Sequence, residues 1–208
     1  MMATLAPAWW SPEAGFSTSL SWTGLPAGRI CLVGVAGQSE RFAARQAIRQ
    51  AVRAALCTLF GVEPDAIGMH AVSGQAPYAM ILGGAHGAGQ RVALAFSHDE
   101  ALSVAAIGPD CAVGIDLMRI VEIPDWQALA RDYLGAIVAD ELVSATPDAR
   151  PAALARAWSE REARLKCLGR PLGEWQLDEE AALQACTCLP LALPDGYIAT
   201  LALAPART

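Results

Sequence analysis

Three side chains in the stretch "AWSEREARLKCLG" (157–169) recur every fourth residue: Trp158, Glu162 and Lys166. That spacing puts them on one face of a helix. A Glu four residues before a Lys is the favourable order for an exposed ion pair, worth roughly a few tenths of a kcal/mol. Trp158 should turn the same face inward, however, and a Lys is seldom set near a core without an anionic partner. Its stem can also snorkel outward, so the residues alone leave both readings open. Glu160 and Arg164, likewise four apart, fall on another face and read as a solubilising pair.

A second carboxylate, Asp116, closes the apolar run "CAVGIDL". An Asp at a strand end can cap a turn, or it can be held rigidly enough to bind a cation. His98, in "FSHDE", falls at a predicted turn. With His70 and His86 it makes no metal-ligand spacing, so a zinc site is not expected. A serine hydrolase is unsupported, because no Gly-x-Ser-x-Gly elbow occurs. "GGAHGAGQ" (83–90) lacks the Gly-Lys-Ser/Thr ending of a phosphate-binding P-loop and reads as a flexible turn.

The elements that must position these groups follow from periodicity. The first thirty residues, rich in Trp, Ser, Pro and Gly, read as an irregular arm. "RICLVGVA" reads as a buried strand. From Glu40 to Phe60 the period becomes helical: Ile48, Val52, Ala55, Leu56 and Leu59 share one face, and Gly61 stops the helix. Arg41, Arg45, Arg49 and Arg53 form a drifting ridge on that helix. "RVALAFSHDEALSVAAIG" predicts two antiparallel strands joined through Asp99 and Glu100, and "CAVGIDL" a third. "DWQALARDYL", "VADELVSA" and "RPAALARAWSEREARLKCLG" predict helices, the last ending at Gly169. The tail predicts strands over 181–189 and 197–203. This order suggests an α+β fold, with a boundary at the Gly-Pro-Asp turn of residues 108–110.

Composition narrows the classes. The 208 residues suffice for one large domain or two small ones. A net charge of −6, from 15 Lys and Arg against 21 Asp and Glu, argues against a dedicated nucleic-acid binder. No apolar run is long enough to predict a membrane span, and the first residues lack the basic and apolar regions of a secretory signal. Six scattered cysteines without a Cys-x-x-Cys pair read as reduced, mostly buried thiols in a cytoplasmic protein.

Taken together, "FSHDE…LSVAAIG", "VGIDL" and "WSEREARLK" resemble, in order and spacing, the 4'-phosphopantetheinyl transferases of the larger, surfactin-synthetase-activating type. That family carries a Ser-His element, a Gly-Ile-Asp strand and a Trp-Ser-x-Lys-Glu-x-x-x-Lys helix. The resemblance is firm over residues 96–169. It is weaker over "GQAPYA" (74–79), which is similar to the family's Gly-Lys-Pro segment, and over the helix of residues 41–59.

The resemblance implies two similar α+β subdomains, 1–108 and 109–208, related by a pseudo-twofold axis with coenzyme A in the cleft between them. It implies Mg²⁺-dependent transfer of the phosphopantetheine arm of coenzyme A to a serine of an acyl, polyketide or peptidyl carrier protein, releasing 3',5'-ADP. Asp116 and Glu162 would hold the metal, which takes one or two protein carboxylates, substrate phosphates and waters. Glu162, or a metal-bound water beside it, would accept the serine proton. Lys166 would neutralise the transferring phosphate or protonate the leaving group. His98 would contact a coenzyme A phosphate with Ser97 as helper, and Arg45 and Arg161 would supply further positive charge. One chain would carry the whole site, so a monomer is expected, with no nucleic acid or membrane as partner.

Three positions depart from the family pattern. Met118 stands where a second acidic residue often follows Gly-Ile-Asp, and a thioether is a poor Mg²⁺ ligand. Arg161 replaces the first Lys of the helix motif with a planar fork. Ala76 replaces the basic residue of Gly-Lys-Pro. Met118 and Ala76 motivate an alternative, a member that binds coenzyme A or a carrier protein without transferring the arm. An unrelated Mg²⁺-dependent nucleotide hydrolase is a third reading.

Overall fold

The computed structural model describes residues 5–38, 40–72, 74–82 and 89–205. His86 and most of the glycine-rich turn at 83–90 lie outside the described residues. The helix predicted from its apolar periodicity forms as α1 (Arg41–Phe60). Its buried stripe is Ala44, Ala47, Ile48, Ala51, Val52, Ala55 and Leu56. The Glu40 carboxylate accepts from the Phe42 and Ala43 backbone N–H groups, satisfying two of the donors a helix start leaves open. Gly61, at φ 64°, ends the helix in the left-handed conformation that glycine adopts without cost.

The strands over Gly28–Ala36 (β4), Gln90–Asp99 (β7) and Leu102–Gly108 (β8) form as expected. They make the centre of a sheet of eight strands among the described residues. The presumed irregular arm is instead three short strands, Ala8–Ser11 (β1), Gly15–Phe16 (β2) and Thr23–Leu25 (β3), with β1 parallel to β4. They form because Trp10, Phe16 and Trp22 pack onto the core beneath α1; tertiary burial overrides the turn-rich composition. Ile67–His70 (β5) and Tyr78–Ile81 (β6), which periodicity missed, extend the sheet beyond β7.

Past Gly108 the chain enters a second, antiparallel sheet. Its order is β10 (Thr187–Pro190), β11 (Tyr197–Pro205), β9 (Cys111–Arg119). Residues 181–189 are not one strand. They begin inside helix α5 (Leu177–Gln184), whose first turn holds Asp178, Glu179 and Glu180. Acidic residues suit the positive end of a helix, and "AALQ" has no period-two alternation to oppose it.

The layers run helix, sheet, sheet, helix. α1 covers the outer face of the first sheet. The two sheets meet through Ile30, Leu32, Ala95, Val104 and Ala106 on one side and Val113, Ile115, Leu117, Leu201 and Leu203 on the other. The last long helix, α4 (Arg150–Leu168), covers the second sheet through Ala163 and Cys167, packed with Cys186 and Ala202. Between them the chain forms a short helix, α2 (Trp126–Leu129), which continues as a π-turn (Ala130–Leu134), and then α3 (Ala136–Ser144). These pack on α4 as a satellite core. The fold is α+β, as its element order suggested.

Candidate functional site

Alternation along β9 decides what faces α4. Val113, Ile115 and Leu117 point between the sheets, which sends Gly114 and Asp116 to the opposite face. Gly114 has a specific task there. A Cβ on it would collide with the Ala163 carbonyl oxygen and the Cys167 backbone nitrogen, so only glycine lets α4 lie this close to β9. Ser159, fully buried, donates its hydroxyl to the Asp116 carbonyl oxygen at 3.1 Å and fixes the helix against the strand. Asp116 therefore sits within β9, opposite Thr200 of β11, rather than at its end. It caps no turn.

Asp116 is 6% exposed, and two side chains bind its carboxylate. Lys166 Nζ donates to Oδ1 at 2.6 Å, and Ser97 Oγ donates to the same oxygen at 3.0 Å. Ser97 also accepts from the Leu117 backbone N–H at 3.0 Å, so the hydroxyl bridges β7 to β9. Lys166 Nζ lies 3.7 Å from Glu162 Oε2 as well. Trp158, Glu162 and Lys166 do share one face of α4, and that face is not solvated. It lines a cleft of ≈ 670 Å³ together with Arg41, Arg45, Ser97, His98, Asp116 and Met118. Residues from α1 and β7 thus meet residues from β9 and α4 in one cavity between the two sheets' helices.

Burial sets the electrostatics. It pushes the Asp116 carboxyl above its ordinary value, and Lys166 foremost, then Ser97 and the Leu117 N–H, pull it back. Burial likewise raises Glu162; Lys166 opposes the rise and the Asp116 charge adds to it. The two carboxylates act on each other through one ammonium. His98 Nδ1 lies 3.1 Å from the Leu102 carbonyl oxygen and 3.0 Å from Ser103 Oγ. A carbonyl only accepts, so Nδ1 carries the proton, and Nε2 has no partner among the described residues.

A divalent cation fits this donor set in one respect. Two carboxylates from different elements converge on a point that an ammonium already marks as favourable for positive charge. Among the described residues no group of three or more His, Cys, Asp or Glu converges.

One expectation for α4 needs correction. Arg161 does not enter the cleft. Its side chain is 7% exposed and binds Glu179 of α5 and the Gly173 carbonyl oxygen, each at 3.3 Å. It lies one residue from Glu162 in sequence, and a step of one turns the side chain about 100° around a helix. Glu160 and Arg164 form the expected pair, with the Glu160 side chain still 37% exposed and Arg164 more covered. They bind each other at 2.5 Å and line a separate cavity between α3, α4 and α5.

Other residues enter unannounced. Arg41 lines the cleft beside Arg45, one helical turn away, and its place on the ridge was the available signal. Phe96, Asp99 and Glu100 complete the wall. The segment Gly74, Gln75, Ala76, Pro77 lines an adjoining cavity of ≈ 370 Å³, which shares Phe96 and Lys166 with the cleft and adds Arg170. No protein-family model matches the chain, and no curated protein matches it. Among the described residues no helix is long and apolar enough to cross a membrane.

Proposed function

We propose that the chain transfers the 4'-phosphopantetheine arm of coenzyme A to a serine of a carrier protein, as a phosphopantetheinyl transferase of two pseudo-symmetric subdomains does. One observation carries the reading. Ser97, His98, Asp116, Glu162 and Lys166, drawn from three elements, line a single cleft that arginines flank. Such a cleft suits a substrate with several phosphates and a reaction needing a cation. Mg²⁺, when bound, neutralises charge on the pyrophosphate oxygens.

The chain's own residues divide the remaining work. Asp116, held by the Ser97 hydroxyl, and Glu162 would hold the cation. Arg41 and Arg45, without acidic partners among the described residues, bind phosphate at the cleft's end. His98, its Nδ1–H directed at the Leu102 carbonyl oxygen, reaches the same anion through Nε2–H as the imidazolium, the one form in which both ring nitrogens donate. The acceptor serine oxygen forms a bond to the pantetheine-side phosphorus as the pyrophosphate P–O bond breaks, and 3',5'-ADP leaves. Glu162, whose proton affinity burial has raised, takes the serine proton. Lys166 stabilises the charge on the departing phosphate. The protein acts as a monomer, since one chain supplies every group.

The test is a mass-shift assay with Mg²⁺, coenzyme A and a panel of apo carrier proteins. Carrier gains the arm's mass with the wild type, and Asp116→Ala or Glu162→Gln lowers the rate by about a hundredfold or more. Near-normal transfer by either variant at saturating Mg²⁺ sinks the assignment. Met118 in the cleft wall, where a third carboxylate would aid the cation, favours one rival. In that reading the chain binds coenzyme A without transfer, and binding with no mass gain on any carrier selects it.

A further inference from the structure

One close contact in the cleft is between groups that the proposed reaction needs apart. Lys166 Nζ is 2.6 Å from Asp116 Oδ1 and 3.7 Å from Glu162 Oε2. Both carboxylates are largely buried, at 8% and 18% side-chain exposure. Two such groups aimed at one point repel, and remain ionised only with positive charge between them. The ammonium supplies that charge. A dication held by the same two carboxylates would meet the ammonium at close range, and both cannot keep that position.

Lys166 is free to leave. Its side chain is 32% exposed, the most open of the three. It stands in the last turn of α4, on an unbranched stem, where the cleft meets the adjoining cavity. Asp116 is not free to follow, because Ser97 holds its carboxylate and Ser159 its backbone.

We propose that Lys166 is a resident counter-cation, which holds Asp116 and Glu162 together in the free protein and is displaced when a divalent cation binds. The ammonium then swings toward the anionic substrate, so one side chain serves two positions in turn. The inference rests on the proposed function only in taking these two carboxylates as the cation site. It implies that Lys166 weakens cation binding to the free protein, the opposite of what a purely supporting residue would do.

The experiment measures Mn²⁺ binding to the free protein, by the loss of its solution electron-paramagnetic signal, without coenzyme A or carrier. Lys166→Met keeps the stem and removes the charge. It is expected to bind Mn²⁺ about tenfold more tightly or better than the wild type, and a further Asp116→Asn change is expected to abolish that gain. Unchanged or weaker Mn²⁺ binding by Lys166→Met overturns the inference, as does no detectable binding by either protein. Should Lys166→Met fail to fold, Lys166→Gln, which can still donate to Asp116, gives the same readout. The mass-shift assay on the wild type separates the two ideas. Transfer without tightened Mn²⁺ binding in the variant defeats only the counter-cation role. Tightened binding in the variant without transfer by the wild type defeats only the transferase reading.

Discussion

Each sheet carries one long helix on its outer face, and the two helices treat charge in opposite ways. α1 buries a stripe of alanine and aliphatic residues and keeps Arg41, Arg45 and Arg49 at the surface. α4, one residue shorter, buries Ser159 and Arg161 among its apolar residues and sets Glu162 and Lys166 at a cleft. The interfaces beneath them differ too. α1 rests on Val33, Val35, Ala105 and Ile107, full side chains of the first sheet. α4 rests on Gly114, where helix backbone and strand backbone almost touch. An apolar interface stabilises a helix but tolerates small shifts, whereas a backbone contact fixes where each carboxylate lands. The second arrangement gives up apolar burial to hold a polar site in place.

The comparison breaks most severely at Gly114. Gly114→Val puts a branched side chain where the Ala163 carbonyl and Cys167 nitrogen stand, and neither is the movable end of a side chain. The expected cost is about 3 kcal/mol or more, read as a lower midpoint in urea unfolding. Because α4 must move outward, any folded fraction should also lose Mn²⁺ binding and transfer. A variant as stable as the wild type, with transfer intact, would show that close approach does not position the site.

That difference also explains what the sequence could and could not tell. The course of α1 was readable, since its apolar stripe and its terminal Gly61 point to the same helix, whereas the Glu40 cap emerged only in the structure. The cleft residues were readable as residue types at set spacings, and Asp116, Glu162, Lys166, Ser97, His98 and Arg45 do meet. What was hidden is direction around α4. Arg161 adjoins Glu162 in the motif, yet its guanidinium serves α5, because Glu179 and Gly173 offer acceptors that only the folded tail brings near. The sequence predicts no helix over residues 177–180 and a strand from 181 onward, so nothing in it announced a helix behind α4. The opening strands were hidden for a similar reason: Trp10 and Phe16 pair with each other across a short hairpin, but the core they pack against, which includes Val33 and Ala105, is assembled only by the fold.

Arg161 therefore sharpens the comparison at a middle level. Arg161→Ala leaves Glu179 with Arg170 alone and detaches the buried link between α4 and α5. A loss of about 1–3 kcal/mol in stability is expected, with KM for coenzyme A close to that of the wild type. Arg49→Ala on the exposed side of α1 is the matched control, expected within about 0.5 kcal/mol of the wild type. A rise in KM for coenzyme A without loss of stability in Arg161→Ala would return that side chain to the substrate.

The smallest effect lies at the start of α1, where charge acts on the backbone alone. The Phe42 and Ala43 N–H groups hold the Glu40 carboxyl below its ordinary value of 4.5. A carboxyl whose folded value is depressed contributes stability above its unfolded value, and loses it as pH falls through the folded value. Glu40→Ala should thus lower Tm slightly near neutral pH, and the gap to the wild type should narrow as pH falls below 4.5 and through the depressed folded value. No such narrowing is expected for Gly114→Val, whose effect is steric. A Glu40→Ala gap that stays constant across that range would mean that the carboxylate's charge contributes nothing, and that the cap acts only through chain geometry.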